Sequence, residues 1–358
     1  MKTDQALLVL EDGTVFEGRP FGKTGRVVGE TVFTTGVVGY QEVVTDPSYA
    51  GTLAVLTYPI VGSYGVNDAD NASPQAHARG VVIREYSRTQ SNFRSTGSFE
   101  DFLLARGVVG IREVDTRAVA VHLRDHGEMK GIIVSDGTDR KQALAELKKT
   151  PSPWESDLLA DLEAPAVPKP RDGAMHKLTA LNVGINAGCL ASLAALGCAV
   201  TVLPASATPQ EVLAAKGKGL IVAGGPGDPH VPAYVVETIR ALLGKVPMLG
   251  VGLGHELLAL ALGCKIKRMT TGCHGVNYSV KRVSDGKGEV TMQQHSFTVD
   301  DTAIPADVEV THVNVNDRTI AGIRSTAHPA QSVQYHPGCD DRAKPNMLYR
   351  DFVERLAL

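Results

Sequence analysis

The sequence predicts a two-domain α/β protein, a β-rich N-terminal half followed by a C-terminal half with a mostly parallel, helix-flanked sheet. Three observations carry this. The 358 residues exceed what one compact core ordinarily organises. Short β-branched runs bounded by turn residues dominate the first 150 or so positions. After Lys177, strand-length apolar runs alternate with helix-length ones, the pattern of parallel strands joined by helical crossovers.

Each element has its own signal. The runs 6–10 and 14–18 flank Glu11-Asp12-Gly13 and predict a hairpin, because Asp-Gly favours the positive φ of tight turns. Further strands are expected at 26–33, 52–56 and 80–84. Ser98 caps a helix beginning at Phe99, with Asp101 in the capping-box position, and Asp115 caps another that stops at Gly127. Pro151, Pro153, Pro165, Pro168 and Pro170 then predict a linker over 150–176, between domains at 1–149 and 177–358. Beyond it, strands are expected at 178–183, 199–203, 219–223 and 247–251, with helices at 187–196, 209–215 and 233–243. The last part is expected to hold shorter strands and a closing helix at 347–356.

Composition excludes several classes of function. A 43% apolar and 21% charged chain is that of a soluble globular protein. The net charge of −3 gives no electrostatic case for binding nucleic acid or an anionic membrane. No run of eighteen apolar residues occurs, and the N-terminus lacks a signal-peptide core. Five scattered cysteines, none spaced Cys-x-x-Cys, indicate neither a disulfide framework nor a zinc site. A cytoplasmic protein is expected.

The chemistry concentrates at Pro247-Met248-Leu249-Gly250-Val251-Gly252-Leu253-Gly254-His255-Glu256. A buried strand ends in Gly-x-Gly-x-Gly and an apolar helix begins at once. Glycines two before and two after a corner residue let a strand turn sharply into a helix, and the corner residue projects over the helix N-terminus. In hydrolases that corner is Ser or Cys; here it is Gly252. A dinucleotide phosphate loop is disfavoured, because the spacing is not Gly-x-Gly-x-x-Gly and no acidic residue follows about twenty positions on. Gly224-Gly225-Pro226-Gly227 ends another strand in a rigid turn able to aim backbone N–H groups at a carbonyl oxygen. Ser332-Val333-Gln334-Tyr335-His336-Pro337-Gly338 sets a histidine just beyond an apolar strand. Such a histidine alone is more often structural, but these segments in this order are specific.

Together they resemble the class I (triad) glutamine amidotransferases, and the whole chain resembles the small subunit of carbamoyl-phosphate synthase. In the N-terminal half the resemblance rests on Gly39-Tyr40-Gln41-Glu42, Thr45-Asp46-Pro47-Ser48-Tyr49, Thr57-Tyr58-Pro59, Asn67-Asp68-Ala69-Asp70, Asp115-Thr116-Arg117-Ala118 and Leu123-Arg124. The resemblance implies a cysteine nucleophile where Gly252 stands, a triad histidine at His336 and a triad glutamate where Gly338 stands. It implies a glutamine pocket of Ser48, Gly225, Gly227, Leu253, Phe297 and the positions of Glu256, Gln294 and Ser296. At the last three the family's glutamine, asparagine and glycine are replaced. Cys273-His274-Gly275-Val276-Asn277-Tyr278-Ser279 likewise departs from the family's His-His-Gly-Gly-Asn-His-Pro.

The resemblance further implies a large-subunit partner in a heterodimer, which receives ammonia through a tunnel and makes carbamoyl phosphate from bicarbonate and ATP for pyrimidine or arginine synthesis. ATP and Mg belong to that subunit, so no cofactor or metal is expected in this chain. The expected function is that of a small-subunit homologue unable to hydrolyse glutamine, serving as a structural or regulatory partner. Glu256 is expected to put a negative charge where the substrate carboxylate would sit, disfavouring glutamine. Two alternatives stand beside this. One is a pseudoenzyme that binds another small molecule at Gly225, Gly227 and the helix start at Gly254. The other is a working amidotransferase with a displaced nucleophile such as Cys264 or Cys273.

Overall fold

The Asp-Gly turn forms as expected: Leu10 N–H bonds Thr14 O and Thr14 N–H bonds Asp12 Oδ1, both at 2.8 Å. It joins β1 (Ala6–Leu10) to β2 (Val15–Gly22) in antiparallel register, Leu8 opposite Phe16. Strands β3 (Arg26–Thr34), β4 (Thr52–Leu56), β6 (Gly80–Val82), β8 (Val109–Arg112) and β9 (Met129–Val134) complete a closed barrel in the order β1-β2-β8-β6-β4-β3-β9. Closure leaves no sheet edge exposed. Leu8, Leu53, Val82, Ile111 and Ile133 fill one of its cores. A two-stranded ribbon pairs β5 (Ile60–Val61) with β7 (Glu85–Tyr86). The structure, a computed structural model, describes residues 5–170, 176–337 and 347–356.

Four helices attend the barrel: α1 (Tyr40–Thr45), α2 (Phe99–Ala105), α3 (Thr116–His126) and α4 (Arg140–Lys149). Ser98 Oγ accepts from Asp101 N–H at 3.1 Å, while the Asp101 carboxylate takes the Ser98 hydroxyl at 2.7 Å. That is a cap, but not the reciprocal box that the spacing predicts. Asp115 caps α3 through Ala118 N–H at 3.0 Å, and the helix ends at Gly127. Helix α1 lacks a sequence signal because its cap, Gly39, contributes no side chain.

The chain divides into two units, Met1–Ser156 with Thr270–His274, and Asp157–Met269 with Gly275–Leu358. Of the residues expected to form a linker, 150–156 belong to the first unit. Pro153 and Trp154 are buried there, and Ser152 Oγ donates to the buried Glu30 Oε1 at 2.5 Å. Residues 171–175 of that stretch lie outside those described. The prolines there read as breakers, but Pro153 opens a short helical turn that carries Trp154 into the core.

The second unit is one nine-stranded sheet. Its parallel half holds β10 (His176–Asn182), β11 (Cys198–Pro204), β12 (Leu220–Ala223), β13 (Met248–Val251) and β18 (Ala330–Val333), in the order β11-β10-β12-β13-β18. Helices α5 (Ala187–Ala195), α6 (Pro209–Ala214), α7 (Ala233–Leu242), α8 (Leu253–Ala261) and α9 (Met347–Arg355) cover it. Val222, Val235, Ile239 and Leu257 pack in one core, and Ala223, Leu190, Leu193 and Phe352 in another. Strands covered on both faces read as continuous apolar runs, which is why they are legible.

The sheet continues through β17 (Ile320–Ser325), β16 (Val308–Asn314), β14 (Ile266–Arg282) and β15 (Gly288–Val299). The pairs β18–β17, β17–β16 and β16–β14 are antiparallel. The expectation of shorter strands here is corrected, since β14 has 17 residues and β15 has 12. β14 mixes exposed Lys267, Arg268 and Lys281 with buried positions, and β15 buries the polar Thr291, Gln293, Gln294 and Ser296, so neither offers the apolar run that marks a covered strand. Among the described residues, no helix is long and apolar enough to cross a membrane.

Candidate active site

Strand β13 lies between β12 and β18, and Gly252 turns its chain into α8. The corner has φ 62° and ψ −125°, the backbone of a nucleophile elbow. Its N–H bonds Val333 O at 3.1 Å and its carbonyl accepts from His255 N–H at 2.9 Å, so both neighbouring elements fix the turn. A Cβ built at Gly252 would lie 3.6 Å from His336 Cε1 and 3.7 Å from Gly224 O, in ordinary van der Waals contact. The corner therefore has room for a side chain facing a histidine, and carries none.

The flanking glycines serve close approach. A Cβ at Gly254 would overlap Val222 O, so α8 starts directly against the backbone of β12. Gly254→Ala is expected to destabilise the fold by about 3 kcal/mol or more, because the obstacle is backbone and cannot rotate away. Denaturant unfolding checks this, and a loss below about 1 kcal/mol would mean that α8 slides aside easily.

The turn at 224–227 comes to the same place. A Cβ at Gly225 would meet Leu253 Cδ2 at 2.6 Å, so the turn lies against the first residue of α8. Gly227 follows with φ 87°. His336 is buried, and its N–H bonds Met292 O at 2.9 Å, which pairs it with β15. Gln294, Ser296 and Phe297 are buried further along that strand. Gly252, Leu253, Gly224, Gly225 and His336 are thus brought together in the second unit. Gly338, the expected glutamate position, lies outside the described residues. Ser48 belongs to the barrel unit, in the turn Pro47–Tyr49, and its buried Oγ has no hydrogen-bond partner among the described residues.

Glu256 is the pocket position at which the sequence reading expects a negative charge. It is fully buried on α8, and its Oε1 accepts from Gln334 Nε2 at 3.0 Å. Burial, with Asp228 adding, holds its carboxyl well above the usual carboxylate range against the opposing effect of the Gln334 bond. Burial thus favours the neutral acid over the negative charge that the sequence reading assigns to this position. Gln334 is visible in the sequence beside His336, but nothing in the sequence marks it as the partner of Glu256. His255, equally buried, bonds Ser332 Oγ through Nδ1 at 2.8 Å. Burial foremost, with His295 and His312 adding, pushes its imidazole down to about 3, so it is a neutral core histidine.

Residues 180–355, which contain this strand–elbow–helix, the facing histidine and the glycine-rich turn, match the family described as glutamine amidotransferase class-I. Residues 8–133 match the CPSase domain of the carbamoyl-phosphate synthase small chain. The chain is 41% identical to the carbamoyl phosphate synthase small chain of Syntrophotalea carbinolica, over 93% of this chain and 92% of that one. It is 40% identical to that of Akkermansia muciniphila, over 99% and 98%. The chain belongs to the carbamoyl-phosphate synthase small-chain family. Among solved structures, a glutamine amidotransferase from Thermotoga maritima matches 51% of this chain and 86% of its own at 20% identity, with a TM-score of 0.38.

Proposed function

We propose that this chain is a small-subunit homologue that does not hydrolyse glutamine and acts as a structural or regulatory partner of an ammonia-using large synthetase subunit. The observation that carries this reading is Gly252, an elbow corner with an intact frame and no atom able to attack an amide. Losing a triad nucleophile costs on the order of a millionfold in turnover. A displaced thiol is a poor substitute. Burial pushes Cys264 up to about 11, far from the thiolate that thioester chemistry needs. In this reading the ATP-dependent steps, with their Mg, fall to the large subunit.

Co-purification with the large subunit and synthetase assays on glutamine and ammonia separately test the proposal. A complex active on ammonia and silent on glutamine is the expected result. A chain that neither binds the large subunit nor alters ammonia-dependent synthesis overturns it, and glutamate release from glutamine overturns the loss of hydrolysis.

One observation favours a second reading, a binding module. Ser48 Oγ is buried with no partner among the described residues, as a group kept for a ligand would be. A small molecule retained in native mass spectrometry would favour that reading.

A further inference from the structure

The barrel unit is built from two separate stretches of chain, because β14 leaves the second unit after Met269, contributes Thr270–His274 to the first, and returns at Gly275. Cys273 and His274 of this segment are buried, and directed contacts from the barrel unit hold it as well. Glu128, just beyond the end of α3, supplies them. Its N–H bonds Thr270 O at 2.9 Å. Its Oε1 accepts from Gly272 N–H at 2.9 Å and pairs with His274 Nε2 at 3.0 Å. The Glu128 side chain is 0% exposed and that of His274 4%, so water does not compete for these bonds.

His274 in turn reaches the segment of the barrel that carries Ser48. Its ring lies 6.3 Å from that of Tyr49, at 41°. Tyr49 is buried, with its N–H on Asp46 O at 3.0 Å and its carbonyl accepting from Thr52 Oγ1 at 2.7 Å. Ser48 precedes it, its own N–H held by Asp46 Oδ1 at 2.8 Å and its Oγ buried with no partner among the described residues.

We propose that Glu128 and His274 are positioning residues for Ser48: Glu128 seats the returning segment, and the seated His274 ring fixes Tyr49 and with it the Ser48 hydroxyl. The proposal rests on reading Ser48 as a ligand-facing group. It does not depend on what the site binds or whether it turns anything over.

Amide hydrogen exchange on the full chain tests it without any ligand, so its outcome is separate from that of the functional assays. Glu128→Ala is expected to speed exchange at the Gly272 and Ser48 amides by about tenfold or more, and Glu128→Gln, which keeps an Oε1 acceptor, to restore both. His274→Ala is expected to speed Ser48 while leaving Gly272 protected by Glu128. An unchanged Ser48 in His274→Ala overturns the proposal, as does an unchanged Gly272 in Glu128→Ala. So does a uniform rise across β4, which would mark a general loss of stability. If Glu128→Ala fails to fold, His274→Ala decides alone.

Discussion

Gly252→Cys is expected to fold, to lose stability, and still to release glutamate from glutamine at least about ten-thousandfold more slowly than an intact triad would. The steric part is favourable, since the new Cβ meets nothing closer than 3.6 Å. The backbone part is not. At φ 62° a side chain is strained, and holding it there costs about 1–3 kcal/mol that glycine avoids. A melting temperature lower by a few degrees is the expected sign. The chemical part fails for a separate reason. The introduced thiol would face His336, but at the position where the resemblance implies the glutamate that orients the histidine, the sequence has Gly338. In serine triads, loss of that third member alone costs on the order of ten-thousandfold. Glutamate release near ordinary enzyme rates, about 1 s⁻¹ or faster, would show that the pocket is less altered than proposed.

What was legible in the sequence follows from how each element is stabilised. Strands β10, β12 and β13 are covered on both faces and write themselves as apolar runs. Helix α3 has a capping aspartate and a stopping glycine, and both lie where the sequence places them. The elbow was legible because its glycines answer to backbone geometry, which spacing encodes directly: Gly254 cannot be anything larger beside Val222 O. Strands β14 and β15 were not, because backbone pairing sets their length, and pairing leaves no apolar run in the sequence. The state of Glu256 was not legible either. Reading it as a charge assumes solvent, whereas its ionisation depends on burial and on Gln334, a residue 78 positions away that only the fold brings near. The same holds for Glu128 and His274, whose pairing spans 146 positions.

Glu256→Gln is expected to raise stability at neutral pH, and the gain should grow as pH rises. Because the folded state holds the Glu256 proton more tightly than the unfolded chain, this group contributes its full stability below the unfolded value of 4.5. That contribution is lost as pH climbs from there toward the raised folded value. Through that window the wild-type chain should lose up to about 1.4 kcal/mol per pH unit relative to the variant, which has nothing to titrate at this position. The substitution also suits the local hydrogen bonding. The introduced amide's oxygen can accept the Gln334 bond as Glu256 Oε1 does, and its N–H group offers a donor to Gln334 Oε1, which is buried and unpartnered among the described residues. Supplying a donor to a buried orphan acceptor is worth about 1–3 kcal/mol. Denaturation midpoints of both proteins between pH 5 and 8 measure the effect, with the two curves diverging as pH rises. Parallel curves would mean that Glu256 ionises normally and that α8 opens to water at this point. In that case the charge expected from the sequence would be restored to the pocket, and glutamine would be disfavoured there by repulsion of its carboxylate.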